Sequence, residues 1–334
     1  MRSASLQVTY ESKDISAEIA RFVVGFEYTD HSDGKADDLQ ITLEDSDQRW
    51  KDAWYPSKGA KITARIISEV DGRRAALDCG VFEIDEIEPS GFPELFTIKA
   101  ASAAVSKSVR AERKTVAWES ITLREVAGKL AVSHGMTSYY EAPVVSFSRI
   151  DQRDESDLSF LSRICTENGL SLKVADEKLI IFDGKDFEAK GASFTVSRLD
   201  TSLESYRFTD KAHDIYRACE VSYQDPASKD TKTYRFTPDN GPAVGEVLKI
   251  NRRVESLAAA QRVARAELRK KNKGEVKGTL TMVGHPGMVA GLNLNATGFG
   301  KYDGKYFIDE ASHRYDRGGG GYVVAVSIHR ELGY

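Results

Sequence analysis

The chain has 334 residues, more than one compact domain usually needs, so two or three domains are expected. Hydrophobic residues make up 41% and charged residues 29%, which is typical of a globular protein. The formal net charge of −4 argues against a protein whose main work is gripping nucleic acid, because phosphate binding favours excess Lys and Arg. Its cysteines, Cys79, Cys165 and Cys219, are few and far apart, so we expect buried reduced thiols.

No targeting or membrane segment is visible in the sequence. The N-terminus lacks the apolar core of a signal peptide. No apolar run approaches the ~18–20 residues that span a bilayer. We therefore expect synthesis in the cytoplasm without export and no membrane association.

Residues 1–114 are predicted to form a β-domain. Alternating apolar residues mark strands near 6–10, 39–43, 62–70, 75–83 and 95–100. Asp71-Gly72 is a hairpin turn signal between two of them. Several short strands separated by turns favour an antiparallel barrel or sandwich.

Residues 115–190 are predicted to form a small α/β domain. Thr122 and Glu125 have capping-box spacing ahead of an apolar helical stripe. A second helix is expected from about 154–156, with Gly169 ending it. A strand, a turn at 176–178 and a returning strand follow.

Residues 191–334 are predicted to form a second β-domain interrupted by one helix at about 255–272. The basic end of that helix, 269–271, is expected to be solvated, where cations complement the helix dipole. The acidic loop with Asp30, Asp33, Asp37 and Asp38 is also expected to stay solvated. It lacks the bidentate Glu that closes a calcium loop.

The strongest internal signal is a repeat. Gly80-x-Phe82-x-Ile84-Asp85-Glu86 matches Gly304-x-Tyr306-x-Ile308-Asp309-Glu310, and each copy follows a strand opened by a glycine, Gly59 or Gly291. A duplicated β-domain at the two ends of the chain accounts for the match. The alternative is that Gly-x-aromatic-x-Ile is simply a common way to enter a hairpin.

No local motif points to catalysis, a cofactor or a metal. Phosphate-loop, dinucleotide, zinc and nucleophile-elbow signatures are absent from the sequence. The adjacent carboxylates Asp85-Glu86 and Asp309-Glu310 are candidates for glycosidase chemistry. Neighbours on a strand point to opposite faces, so we expect neither pair to converge on a substrate.

Four ordered stretches together resemble the phage late control gene D protein family, the hub of contractile phage tails, which is related to the N-terminal part of the type VI secretion spike. They lie at 80–93, 152–169, 255–291 and 303–322. They supply the candidate motif and interface residues Gly80, Phe82, Asp85, Asp154, Phe160, Gly169, Gly284, Pro286, Gly291, Gly304, Tyr306 and His313.

The resemblance implies an α+β, mainly β fold with two tube-protein-like antiparallel β-barrels flanking the small α/β insert. It implies a homotrimer whose pseudo-sixfold ring joins a hexameric tail tube to a trimeric spike. Because the chain ends at Tyr334, the spike is expected to be a separate polypeptide. Other expected partners are the tube or tube-initiator protein, baseplate wedge proteins and the tape measure protein. The expected location is the virion tail baseplate of a phage or tailocin, assembled in the host cytoplasm.

Two further expectations follow. If the ring encloses a DNA path, its lining should be neutral or acidic, so that DNA passes without specific binding. The alternative to a structural hub is a tail-associated cell-wall hydrolase. In that case the central unit is the expected place for the activity, with Asp154 and Glu155 as its carboxylates.

Overall fold

A computed structural model describes residues 2–70, 73–102, 112–224, 230–254 and 256–334. The predicted turn at Asp71-Gly72 and the predicted helix start at Glu255 lie outside these residues. The chain is mostly β with few helices, as predicted. The three cysteines are free and buried, which confirms that expectation.

The N-terminal unit is an antiparallel sheet in the order β3-β4-β7-β6-β5-β1-β2. Its elements are β1 (Arg2–Tyr10), β2 (Lys13–Asp14), α1 (Ser16–Ile19), β3 (Val23–His31), β4 (Asp38–Glu44), a 3-10 turn (Arg49–Lys51), β5 (Lys61–Val70), β6 (Arg73–Ser90) and β7 (Leu95–Ser102). Alternate side chains point inward because a strand has a period of two. Val8, Ile41, Ile66 and Phe96 meet in one apolar core.

The middle unit packs helices on two small sheets. Its elements are β8 (Arg113–Thr122), α2 (Leu123–Ser133), β9 (Thr137–Glu141), β10 (Ser146–Ser156), α3 (Asp157–Glu167), β11 (Ser171–Ala175), β12 (Lys178–Phe182) and α4 (Gly184–Glu188). The predicted capping box starts α2, with the Thr122 hydroxyl accepting from the Glu125 N–H and the Glu125 carboxylate accepting from the Thr122 N–H. Strand β8 pairs with β10, and the other sheet has the order β11-β12-β9.

The C-terminal unit contains β13 (Phe194–Ser197), β14 (Leu203–Asp210), β15 (Tyr216–Gln224), β16 (Thr231–Phe236), β17 (Glu246–Val254), α5 (Leu257–Asn272), β18 (Val276–Val283), β19 (Asn293–Thr297), a 3-10 turn (Gly300–Tyr302), β20 (Gly304–Asp316) and β21 (Gly321–Arg330). Helix α5 does more than interrupt a β-domain. It packs on a sheet of its own, β16-β15-β17, through Ala260, Val263, Ala264 and Leu268.

One continuous sheet joins the two ends of the chain. Strand β20 pairs with β21 and, along its C-terminal half, with β3 of the N-terminal unit, from Glu310 opposite His31 to Asp316 opposite Gly25. Within the described residues the apolar side chains form separate clusters in the N-terminal, middle and C-terminal units and under α5. The domain boundaries at 114/115 and 190/191 stay a prediction.

Candidate assembly site

The sequence repeat occupies equivalent places in the two end units. In the first copy the Gly59 N–H donates to the Ile84 carbonyl (2.7 Å) and the Ile84 N–H donates to the Ala60 carbonyl (3.0 Å). In the second copy Gly291 and Ile308 make the same contact at 2.9 Å, and Ile308 donates to Leu292 at 2.9 Å. The same pair of backbone hydrogen bonds in both copies is better explained by duplication than by a common way to enter a hairpin.

The likeness extends over five strands of each unit. The order β3-β4-β7-β6-β5 corresponds to β14-β18-β21-β20-β19, and every neighbouring pair in both series is antiparallel. Both series also shift register at the same point, between Val23 and Gly25 and between Leu203 and Ser205. The sixth strand differs, because β1 runs antiparallel to β5 while β13 runs parallel to β19.

The aromatic residues of the repeat lie at the centre of each core. Phe82 and Tyr306 are 1% and 0% exposed. Phe82 meets the edge of Tyr28 at a centroid distance of 6.0 Å, and Tyr306 meets Phe208 at 5.6 Å. Tyr28 and Phe208 hold corresponding positions on β3 and β14, so the same aromatic pair is built twice.

The Asp of each repeat marks a β-bulge. The register slips between Ile84 and Glu86 in the first copy and between Ile308 and Glu310 in the second. An extra residue reverses the inward and outward alternation, so Asp85 and Glu86 are both exposed. The expectation that these neighbours point to opposite faces is therefore wrong, because it assumed an unbroken period of two.

The glycines of the repeat adopt backbone angles that favour glycine, within β6 at Gly80, at the start of β20 at Gly304 and before β19 at Gly291. Gly80 and Gly304 have φ values of +99° and +142°, and Gly291 has +85°. A side chain at these backbone angles is strained, because its Cβ collides with the neighbouring carbonyl. Together with Gly59, whose φ is +83°, these glycines fix the path of the chain through the bulged hairpin of each copy.

The pairing of β3 with β20 forms a close junction between the two units. An added Cβ at Gly25 would lie 2.9 Å from the Tyr315 carbonyl oxygen. Phe26 stacks on Tyr315 with a centroid distance of 5.3 Å. The Glu27 carboxylate accepts from the Ser312 hydroxyl at 2.8 Å and from the Arg314 guanidinium at 2.9 Å. Backbone, aromatic and ionic contacts therefore all hold this edge.

His313 is buried in the junction and is neutral. Its ring lies between Tyr28 and Tyr322, at 6.0 Å from each. Its Nδ1 is 2.8 Å from the Tyr322 hydroxyl and its Nε2 is 3.1 Å from the Met288 carbonyl. Burial lowers the pKa of His313 to about 4. A neutral ring with Nε2–H donating to Met288 and Nδ1 accepting from Tyr322 satisfies every contact.

The loop before β19 carries Gly284, Pro286 and Gly291. The Tyr322 ring lies directly over Gly284, where an added Cβ would be 2.1 Å from its Cδ1 atom. Pro286 is buried. The Ala290 N–H donates to the Asp30 carboxylate at 2.9 Å, so the loop contacts the N-terminal unit. The loop that carries Gly284, Pro286 and Gly291 therefore contacts His313, through Met288, and the N-terminal unit, through Ala290.

Part of the acidic loop is buried, which corrects the expectation that it stays solvated. Asp30 and Asp37 are 5% and 3% exposed. The Lys173 ammonium of β11 contacts the Asp30 carboxylate, lies 3.5 Å from Asp37 and donates to the His31 carbonyl at 2.7 Å. Burial, opposed by Lys173 and assisted by Asp30, raises the pKa of Asp37 to about 6.

The basic end of α5 is also partly buried, contrary to the expectation. Arg269 is 7% exposed, and its guanidinium donates to Glu188 at 2.7 Å. Lys273 and His329 lie 3.3 Å and 3.2 Å from the same carboxylate. Burial favours the protonated acid, but these cations outweigh it and lower the pKa of Glu188.

His329 joins this cluster to the bulge of the second repeat. Its Nδ1 lies 2.8 Å from the Asp309 carboxylate. Burial opposes protonation of His329, but Asp309 and Glu188 together outweigh burial and raise its pKa. The repeat Asp309 therefore has a structural contact that spacing in the sequence did not reveal.

Asp154, Phe160 and Gly169 lie apart from the repeat, in the middle unit. Asp154 has φ +49° at the end of β10, where its carboxylate accepts from Arg113 at 3.1 Å. Phe160 is fully buried and stacks on Trp118 at 6.3 Å. Gly169 follows α3 with φ +73°. These candidates organise the fold of the middle unit and its contact with α5.

The carboxylates considered for hydrolysis are engaged in ion pairs. The Asp154 side chain is 77% exposed and pairs with Arg113, while Glu155 pairs with Arg163. The neighbouring Asp157 is 2% exposed and contacts His134 at 2.7 Å and Lys114 at 2.9 Å.

In the described part of the chain no three His, Cys, Asp or Glu side chains cluster as a metal site would need. The described helices include none that is long and apolar enough to cross a bilayer.

Comparison with known proteins defines the class. Residues 96–319, more than half of the chain, match the model of the phage tail baseplate hub family (GPD). The chain therefore belongs to the phage tail baseplate hub family. The resemblance found in the sequence is confirmed.

A curated relative agrees with this assignment. The chain is 28% identical over 213 residues to the probable baseplate hub protein of Escherichia phage 186, an alignment that covers 62% of this chain and 53% of the relative. The chain thus spans about half the length of the curated relative it matches.

Solved structures show that the fold is shared over the whole chain. The 43 kDa tail protein of prophage MuSo2 from Shewanella oneidensis superposes with a TM-score of 0.74 at 15% identity, covering 99% of both chains. An E. coli component of the type VI secretion system, itself described as similar to the T4 tail proteins gp27 and gp5, gives 0.56 at 11% identity and covers 99% of this chain and 78% of that one.

Proposed function

We propose that the protein is a structural baseplate hub that forms a trimeric, pseudo-sixfold ring between a hexameric tail tube and a trimeric central spike. The observation that carries this proposal is the duplication of five strands, with their register shifts, in one chain. Three chains would present six similar β-barrels. A closed ring of this kind covers strand edges that are exposed in the single chain.

Mass photometry of the purified chain tests the ring. The expected species has three times the chain mass of 36.9 kDa, and its fraction of the particles increases as the concentration rises. A chain that stays monomeric at high concentration, and also when mixed with candidate spike and tube proteins, would contradict the proposal.

The proposed partners are a separate trimeric spike, the tube or tube-initiator protein, the baseplate wedge proteins and the tape measure protein. DNA would pass through the ring without specific binding. The likeness of the fold to a type VI secretion component that is itself similar to T4 tail proteins supports a place at the tip of an injection apparatus. That place is the tail baseplate of a phage or tailocin assembled in the host cytoplasm.

The proposed mechanism is binding without turnover. Its support is that Asp154 and Glu155 are each held by an arginine. Incubation with purified peptidoglycan should release no muropeptides. Release that is abolished by Asp154→Asn or Glu155→Gln would establish a hydrolase instead.

A further inference from the structure

The continuous sheet has several strand edges without a strand partner in the described part of the chain, and two of them correspond through the repeat to the two sides of the internal junction. One is the outer edge of β14, which pairs only with β18. The other is residues 86–90 of β6 on the side away from β7, since β5 pairs with β6 only as far as Glu83. Unpaired main-chain donors and acceptors make such edges natural sites for another strand.

The chain already contains a template for filling these edges. The C-terminal half of β20 is the counterpart of residues 86–90 in the repeat, and β3 is the counterpart of β14. Within one chain β3 pairs antiparallel with β20, placing His31 opposite Glu310, Thr29 opposite Ser312 and Glu27 opposite Arg314. These two unpaired edges are therefore the counterparts of the two sides of the internal junction.

We propose that β14 of one chain pairs antiparallel with residues 86–90 of β6 in the next chain, in the register of the internal junction. Transferring that register through the repeat places Lys211 opposite Glu86, Thr209 opposite Glu88 and Arg207 opposite Ser90. This inference rests on the proposed ring and specifies the contact that closes it.

Side-chain charges fit this register although the residues differ from those of the internal junction. There, His31 lies 3.2 Å from the Glu310 carboxylate, and the corresponding pair is Lys211 with Glu86. Glu27 contacts Ser312 and Arg314, and its counterpart Arg207 would lie beside Glu88. At the Arg207 end the charges have exchanged strands, at the Lys211 end they have not, and each cation still meets an anion.

These charged groups are accessible in the single chain. The side chains of Glu86 and Glu88 are 61% and 55% exposed and contact Lys99. Arg207 and Lys211 make no ion pair with another described residue. The cations of one edge are therefore available to the carboxylates of the other.

Exposed aromatic rings coincide with the same two edges. In the internal junction Phe26 is buried against Tyr315. Its counterpart Tyr206 is 48% exposed, and Phe92, just beyond β6, is 92% exposed. The transferred register brings Tyr206 opposite Gly91, next to Phe92, so both rings would be covered by association.

The contact is head to tail, because each chain contributes one edge of each type. Such a heterologous interface forms a closed ring when successive chains are rotated by a constant fraction of a turn. Pro89 lies within the β6 edge and has no N–H, a feature tolerated on edge strands. The remaining residues supply the main-chain pairing.

Cysteine cross-linking tests the register in the full chain. Thr209→Cys and Glu88→Cys place thiols directly opposite one another, where cross-strand Cβ atoms lie roughly 5 Å apart. Oxidation or a short bis-maleimide should give covalent trimers from the double variant, and dimers from a mixture of the two single variants. The matched control is Ser205→Cys with Glu88→Cys, on the same strand face but four residues out of register.

The outcomes separate this inference from the proposed ring. Efficient linkage at 88–209 with little at 88–205 supports it. A trimer by mass photometry without linkage at 88–209 would overturn the pairing and leave the ring standing. Absence of both trimer and linkage would overturn both.

A charge exchange gives an independent check. Glu88→Arg or Arg207→Glu alone should weaken trimer formation roughly tenfold or more, because like charges would meet at each contact. The double variant should recover most of the loss. Single variants that assemble normally, or a double variant without recovery, would count against the pairing.

Discussion

Gly169 and Ala266 are in such close contact that an added Cβ on Gly169 would lie 2.6 Å from the Cβ of Ala266. Gly169 has φ +73° directly after α3, and Ala266 lies on α5. The middle unit therefore meets the helix of the C-terminal unit at a point where only glycine fits. This contact couples two parts of the chain that are far apart in sequence.

Gly169→Ala should destabilise the protein by about 2–4 kcal/mol, the combined effect of backbone strain and overpacking. Gly135→Ala is the matched control, because Gly135 has φ +69° with no atom near the added Cβ. The control should lose only about 1–2 kcal/mol. Equal losses in urea unfolding would contradict the contact.

Burial of a neutral His313 predicts that acid destabilises the fold. Its pKa of about 4 lies below the ordinary 6.5, so the unfolded chain takes up a proton that the folded chain refuses. The stability it contributes is present above pH 6.5 and is lost as the pH falls toward 4. His313→Gln should remove about 3 kcal/mol of that loss.

Unfolding free energies measured from pH 7 to pH 4 check this prediction as a difference from the wild type. His213→Gln, at an exposed histidine, is the control and should follow the wild-type profile. A His313 variant whose profile also parallels the wild type would show that the fold does not lower the pKa of this histidine.

The raised pKa of Asp37 predicts that the stability of the fold depends on pH with the opposite sign. Its pKa of about 6 lies above the ordinary 3.8, so the folded chain holds the proton more tightly than the unfolded chain. Its contribution is full below pH 4 and is lost as the pH rises through 6. Asp37→Asn should gain about 3 kcal/mol relative to wild type over that window.

An asparagine at 37 can still accept the 2.9 Å hydrogen bond from the His31 N–H, so the variant is expected to fold. Asp78→Asn is the control, since the Asp78 side chain is 78% exposed and pairs with Arg65. Calorimetry at pH 4, 5, 6 and 7 measures the stability of both variants against the wild type. A stability difference from wild type that does not change with pH would refute a raised pKa at Asp37.

Glu188 compensates three cations, so its loss should be severe. Glu188→Gln leaves Arg269, Lys273 and His329 without their shared carboxylate in a buried place. The expected cost is about 3–5 kcal/mol, as for a broken buried ion pair. Glu119→Gln breaks the exposed pair with Arg149 and should cost less than about 1 kcal/mol. Comparable thermal shifts for the two variants would argue against a structural role of the cluster.

The repeat could be read from the sequence because its glycines, aromatics and Ile-Asp-Glu run survive in both copies. Some of the strands and the longer helices followed from periodicity and from capping signals such as Thr122 with Glu125, whereas β3, β8, β9 and β10 were not predicted. The bulges at Asp85 and Asp309 could not be predicted, because strict two-residue alternation does not indicate where an extra residue is inserted in a strand.

Other features depend on contacts between distant parts of the chain. Lys173 meets Asp30 across 143 residues, and Arg269 meets Glu188 across 81. Comparing residue identities does not reveal that β3 corresponds to β14, because Tyr28 is matched by Phe208 and Glu27 by Arg207. Only the pairing partners and the shared register shift reveal it. The junction at β20 and its unpaired counterpart on β6 follow from that correspondence.

The symmetry of the assembled particle tests the central claim most directly. Electron-microscopy class averages of the purified hub, viewed along its axis, should show a ring with threefold symmetry and six similar β-rich lobes. A particle without threefold symmetry, or a ring with three lobes in which the two halves of the chain are not equivalent, would contradict a pseudo-sixfold hub.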